Sequence, residues 1–270
     1  MYKKEILYKV LDKRGYSCYG GIGQWFLPEK QKDGTWKPGR WMPKIKGKLV
    51  PCQNGYHLCR ENNILDWLGE SIFEAEYKGE ILERSDKVVV REARLLRKYE
   101  NWNEKTARLF ACWCVRNTPL GNGGTIWNLL TDERSKNAVK IAEEFANGKV
   151  TRGELEVAEE AAWDAVRDII ISITRVAPWD AIGVSKRDAM RTGAVRDAAN
   201  AAAAAAARHV TGAATNIATI WMGVNSAAGG AVKTAIHAAR GETEDDEEVY
   251  AVEDAAIEVQ TKELLRILNK

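Results

Sequence analysis

The chain has 270 residues, 45% of them apolar and 29% charged, with a net charge of +2. That length accommodates two domains of ordinary size, each with its own core, and the composition is that of a soluble globular protein. No stretch approaches the ~20 consecutive apolar residues of a membrane helix, which excludes a helical membrane span. The opening MYKKEILYKV passes straight into a strand-like run with no signal-peptide core. Five cysteines without framework spacing fit reduced thiols, so a cytoplasmic protein is expected. The small net charge hides an asymmetry. Residues 1–50 carry 12 Lys/Arg against four Asp/Glu, whereas GETEDDEEVY (241–250) carries six acids and no base. A basic N-terminal part attracts anions such as phosphate, unless the two ends simply neutralise each other or stay solvated.

Residues 5–98 read as short strands punctuated by Gly and Pro. EILYKVL (5–11) alternates with period two, placing Ile6, Tyr8 and Val10 on one face and Glu5, Leu7, Lys9 and Leu11 on the other. DKRG (12–15) is a turn, and the Gly-, Pro- and Trp-rich run 16–41 has loop and edge chemistry. KGKLVPC (46–52) and GYHLC (55–59) are expected as short strands. RENNILDWLG (60–69) is expected as a helix stopped by Gly69. SIFEAEYKGEI (71–81) and KVVVREARLL (87–96) are two longer strands.

From about residue 102 the period becomes helical. Helices are expected over 101–117, with Leu109, Cys112, Trp113 and Arg116 on neighbouring faces, and over 131–149, from a Thr/Asp cap to Asn147-Gly148. Further helices are expected over 151–176, 185–210, 212–241 and 249–270. Seven consecutive alanines at 201–207 favour helix and close approach of backbones, with Trp163, Trp179 and Trp221 as gap-filling knobs. AAWDAVRD (161–168) and AVRDAANA (194–201) suggest a decayed repeat. The fold class is therefore α+β: a β-rich domain over 1–98 and an all-α, Ala- and Trp-rich domain over 99–270.

PCQNGYHLCR (51–60) concentrates Cys52, His57 and Cys59. A structural zinc takes four ligands, usually in pairs two to four residues apart. Cys52 and Cys59 are C-x6-C with Cys18 a remote fourth, so no metal is expected. Cys112 and Cys114, at i and i+2 of a helix, point apart and read as core thiols. No Gly-x-Ser-x-Gly elbow occurs, and a Cys–His dyad would have to pair Cys18 or Cys52 with His57. The glycines of YGGIGQW (19–25) precede neither a helix nor Gly-Lys-Ser/Thr, so a phosphate loop is not expected. Basic residues of 24–48 with Trp25, Trp36 or Trp41 suit nucleic acid through phosphate contact and base stacking, although solvated loops are the plainer account.

YKVLDKRGYSCYGGIGQW, WMPKIKGKLVPCQNGYHLCR, LDWLGESIFEAEYKGE and KVVVREARLL resemble an uncharacterised domain family of phages and prophage-bearing bacteria. The second half resembles an Ala/Trp-rich helical domain similar to immunity proteins of bacterial toxin systems. A more distant similarity is to ADP-ribosyltransferase folds. It implies that Tyr8-Lys9 lies on the first strand, that Gly55-Tyr56-His57 leads the second, and that Glu74, Glu76 or Glu92 takes the acidic place. The departures are Lys9 or Tyr8 where His is usual, and no glutamate marked by a motif. The expected ligand-binding set is Tyr8, Lys9, Tyr56, His57, Glu76 and Glu92. The expected function is a non-enzymatic binding protein, an accessory of immunity or counter-defence type that captures a host protein or a nucleotide-like small molecule. The alternatives are an ADP-ribosyltransferase-like enzyme or NAD-derivative binder, and a nucleic-acid binder. No cofactor and no membrane partner are implied, and a homo-oligomer stays open.

Overall fold

A computed structural model of the chain describes residues 5–174, 220–243 and 245–270. Among them the fold is α+β: the strands lie between Leu7 and Lys98, and α-helices follow. Two compact units divide the chain, one of residues up to Glu104 with Leu265–Lys270, the other Lys105–Leu264. The Ala-rich run 201–207, Trp179 and the helix expected over 185–210 lie outside the described residues. No described helix is long and apolar enough to cross a membrane.

In the first unit β1 (Leu7–Leu11), β4 (Tyr56–Leu58), β5 (Ser71–Glu83) and β6 (Val88–Lys98) form an antiparallel sheet in the order β1-β5-β6-β4. The sheet curls until its two edges meet. Tyr8 of β1 and Cys59, just beyond β4, exchange backbone hydrogen bonds of 2.9 Å in each direction. The curl has a local cause in β5, where Gly79 (φ +78°) and Glu80 oppose the single residue Arg91. Such a bulge bends and twists the strand that carries it. Val88, Val89 and Val90 pair on both sides, with β4 and with β5. These β-branched residues are fully buried and form the middle of the sheet. Past the end of β4 the same edge of β6 is covered by residues 39–45, whose Gly39, Met42 and Ile45 amides donate to the carbonyls of Leu95, Ala93 and Arg91. Residues 46–55 thus leave and rejoin one interrupted edge. Leu7, Leu11, Trp25, Met42, Leu58, Phe73, Val88, Val90 and Leu95 fill the interior.

Three expectations change here. Residues 46–52 are not a strand; Val50 makes one bridge, to Asn54, across a turn. The helix expected over 60–69 is a 3₁₀-helix, Glu61–Trp67, buried through Ile64 and Leu65. It ends at Trp67 with Leu68 as its C-cap, before Gly69, where a Cβ would stand 2.6 Å from Val10 Cγ1. The loop 16–41 contains a small hairpin, β2 (Glu29–Lys30) with β3 (Trp36–Lys37).

The second unit holds α1 (Glu104–Asn117), α2 (Ile126–Leu129), α3 (Glu133–Ala146), α4 (Arg152–Thr174), α5 (Ile220–Glu242) and most of α6 (Asp246–Leu268). Asp132 caps α3 by accepting from the Arg134 amide, and Gly148 (φ +71°) follows its end. Helix α1 is buried nearly all round, at Ala107, Arg108, Phe110, Ala111, Cys112, Cys114 and Val115, rather than along a single face. Cys112 and Cys114 are core thiols. Gln260 of α6 donates to Thr118 Oγ1 (2.9 Å) and to the Ala228 carbonyl of α5 (3.1 Å), pinning three segments at one buried point. Trp163 is not a buried knob; it is 46% exposed.

Gly55 lies at φ +146°, and a Cβ there would come within 2.3 Å of Val89 Cγ1. Gly55→Ala should therefore lower stability by about 2–4 kcal/mol through backbone strain and overpacking. Equilibrium urea unfolding checks this, and an unchanged midpoint would contradict the tight approach of β4 to β6.

Candidate functional site: a cavity in the curled sheet

Alternation along β1 puts Leu7, Lys9 and Leu11 on the same face. Leu7 and Leu11 belong to the core, so Lys9 is a charged residue in a core-facing register. Its Nζ lies 5.0 Å from the centroid of the Trp25 ring and donates to the His57 carbonyl at 3.0 Å. Trp25 is brought there by the loop after β1. Its amide donates to Gly15 O at 2.9 Å, and Gly15 (φ +90°) admits no side chain, since a Cβ would sit 2.9 Å from the Trp25 carbonyl oxygen. Tyr56 meets Trp25 edge-on at 5.4 Å and donates its hydroxyl to Pro43 O at 2.7 Å.

These groups line a cavity of about 380 Å³ whose wall includes core residues Trp25, Met42 and Leu58. The wall also includes the exposed loop residues Tyr19, Gly20, Gly21 and Gly23, together with Trp67 and Lys87. Tyr19 packs edge-on against Trp67 at 5.2 Å and donates to Leu68 O at 2.5 Å. Trp67 Nε1 donates to Asp86 O at 2.9 Å, while Lys87 lies 4.8 Å from the Trp67 ring and pairs with the Asp86 carboxylate at 3.0 Å. Tyr8, 2% exposed, stacks on Tyr99 at 5.9 Å.

His57 is held by its own loop. Its Nε2 accepts from the Cys52 amide at 2.9 Å, so the ring proton of the neutral imidazole sits on Nδ1. Cys52 takes φ +62°, in the left-handed region, to make that turn. Burial lowers the His57 pKa below 6.5, and the nearby Lys9 and Lys87 charges lower it further. Burial pushes the Cys59 thiol up to about 12 and raises the Tyr8 phenol. Desolvation brings Lys9 down to about 8. Near neutral pH the cavity wall thus includes the neutral His57, the Cys59 thiol, the Tyr56 phenol, π-faces and two lysines. Among the described residues that line it, none is Asp or Glu.

Of the residues expected to bind ligand, the cavity brings together Tyr8, Lys9, Tyr56 and His57. Glu76 and Glu92 are not on its wall. Glu76 pairs with Arg94 (2.5 Å), Glu92 with Lys44 (3.8 Å), and Glu74 with Arg97 (2.7 Å). Among the described residues no group of three or more His, Cys, Asp or Glu is placed to hold a metal ion. Trp25, considered as a surface base-stacking group, is 6% exposed, and Trp41 has Lys78 and Arg94 over its ring at 4.0 and 4.8 Å. Sequence reasoning missed Trp67, Tyr19 and Lys87. A tryptophan followed within 20 residues by a lysine at the head of a valine strand is a weak signal, and only the curl of the sheet joins them.

Protonating His57 breaks the Cys52 N–H···Nε2 bond and charges a ring beside two lysines. The unfolded chain therefore binds the proton more readily, and stability should fall as pH drops below about 6.5. Denaturant unfolding at pH 7.5 and 5.5 measures the loss, and it should shrink in His57→Gln.

No protein-family model, curated protein or solved structure matches the chain, which leaves the cavity's own chemistry to define what it takes.

Proposed function

We propose that this chain is a non-enzymatic binding protein, an accessory of phage or mobile-element type, whose β-rich unit captures a nucleotide-like small molecule in the cavity between β1, β4 and the glycine loop. The observation that supports this reading is the wall itself: aromatic rings and two lysines with no lining carboxylate. A volume of about 380 Å³ falls in the ~300–1,000 Å³ range of small-molecule sites, toward its lower end. Trp25 and Tyr56 offer surfaces on which any base can stack, and such stacking is sequence-tolerant because every base has a π-face. The lysines suit the charge of a phosphate.

Transfer chemistry on NAD would ask for a carboxylate near the ribose, to orient a hydroxyl and support positive charge on the sugar. The glutamates available for that part are each engaged with a lysine or arginine away from the wall. Binding without turnover fits this arrangement better than catalysis.

Calorimetry with adenosine 5′-monophosphate, ADP-ribose and NAD tests the reading. Binding is expected for at least one, with Trp25→Leu weakening it about tenfold or more. NAD should stay intact on prolonged incubation. NAD consumption that disappears in Glu76→Gln or Glu92→Gln would replace this reading with the enzymatic one, and absence of heat with all three would remove it.

A further inference from the structure

Lys9 breaks the pattern of its own strand. The register between Leu7 and Leu11 faces the core, yet it carries an ammonium group. Lys9 is part-buried, and a charge withdrawn from water in a protein is normally paired with an opposite charge or neutralised, because desolvation penalises the charged form. Among the described residues Lys9 makes no ion pair. Its contacts are the His57 carbonyl and the Trp25 ring, which satisfy one of its three N–H donors and part of its charge. Lys87, the other lysine of the wall, already has Asp86 at 3.0 Å.

We propose that the ligand carries a compact anionic group, a phosphate or a carboxylate, on a planar aromatic body, and that this anion docks on Lys9 Nζ as the counter-ion the fold itself omits. The proposal rests on the cavity being the ligand site described above. The groups around Lys9 leave that place open. Cys59 beside β4 and Cys18 on the loop face it as thiols whose pKa values burial raises, so neither supplies a negative charge. His57, whose backbone carbonyl accepts from Lys9, keeps a neutral ring and so supplies no negative charge, and Lys87 adds positive potential. The π-faces of Trp25 and Tyr56 then take the aromatic body. Docking an anion stabilises the protonated amine, so binding is linked to proton uptake wherever Lys9 is partly neutral in the free protein. That condition holds around and above pH 8.

The experiment uses the full chain and three probes: adenosine 5′-monophosphate, uncharged adenosine, and indole-3-carboxylate, each titrated between about pH 7 and 9.5, where the phosphate is already a dianion. Affinity for the monophosphate should be level below about pH 8 and fall by about tenfold per pH unit above it. Calorimetry in buffers of different ionisation enthalpy should show proton uptake. Lys9→Met should weaken the monophosphate about 10- to 100-fold and leave adenosine unchanged. Lys9→Arg, which keeps a charge that does not titrate, should abolish the pH dependence and shows whether a loss in Lys9→Met reflects folding. Binding of the carboxylate but not the monophosphate would assign the smaller anion, and the reverse the larger; both keep the Lys9 contact if Lys9→Met weakens them. Equal affinity for monophosphate and adenosine, or wild-type affinity in Lys9→Met, would overturn the proposal while leaving the cavity a ligand site. No binding of any probe would overturn both.

Discussion

The pair of backbone hydrogen bonds between Tyr8 and Cys59 is the constraint on which the site depends. Without it β1 and the end of β4 would be free edges of an open sheet, each with unpaired amides and carbonyls. With it the sheet becomes a ring, and its interior face becomes an enclosed space. Lys9, one residue from the bridge, and His57, two residues from it, are fixed against each other, and the Lys9 Nζ contact to the His57 carbonyl ties the same two strands again through a side chain. The Gly79 bulge supplies the bend that lets the edges meet, and the 46–55 excursion supplies the imidazole's partner at Cys52. Local backbone features distant in sequence thus converge on one volume.

The same sheet disposes of its acidic residues. Glu76 stands directly opposite Arg94 and Glu74 opposite Arg97 in the β5–β6 register, so cross-strand neighbours satisfy each other. Arg91 pairs with Glu80 and also donates to the carbonyls of Ile45 and Gly47, holding the 39–45 edge in place. These surface pairs contribute modestly to stability. Their larger consequence is electrostatic. Most of the glutamates of β5 are spent on the arginines of β6, and the lysines of the cavity face no lining carboxylate.

The long strands β5 and β6 were legible from alternation and β-branched runs, and α3 from its cap and terminal glycine, because local pattern decides those elements. The grouping of Tyr8, Lys9, Tyr56 and His57 rests on the distant resemblance and not on any visible pairing, since β1 and β4 are opposite edges of the sheet that meet only at Tyr8 and Cys59. The rest of the wall was not legible. Trp25 sits in a Gly-rich loop that reads as exposed, yet its amide bonds back to Gly15 and its ring packs in the core. The glutamates were misplaced for a related reason. Strand register decides whether an acid meets an arginine or a cavity, and a single sequence does not display register. Residues 46–52 have strand-like composition, but the left-handed turn at Cys52 spends them on positioning a side chain.

A core-facing lysine is costly to the fold. Leucine or methionine at position 9 would continue the apolar face of Leu7 and Leu11 and remove a desolvated charge, and replacing a buried charge with an apolar group of similar shape is often neutral or stabilising. Local rules broken without a structural gain tend to mark function, because site geometry is kept at the expense of stability. The remaining features of the cavity agree with that interpretation. Two exposed glycines in the left-handed region line it, a positive-φ cysteine anchors the imidazole, and a tryptophan is buried under the lysine rather than under leucine. Each of these spends conformational or solvation free energy on the same wall. On the reading proposed above, an anion docked on Lys9 would recover part of those costs at the place where they are concentrated.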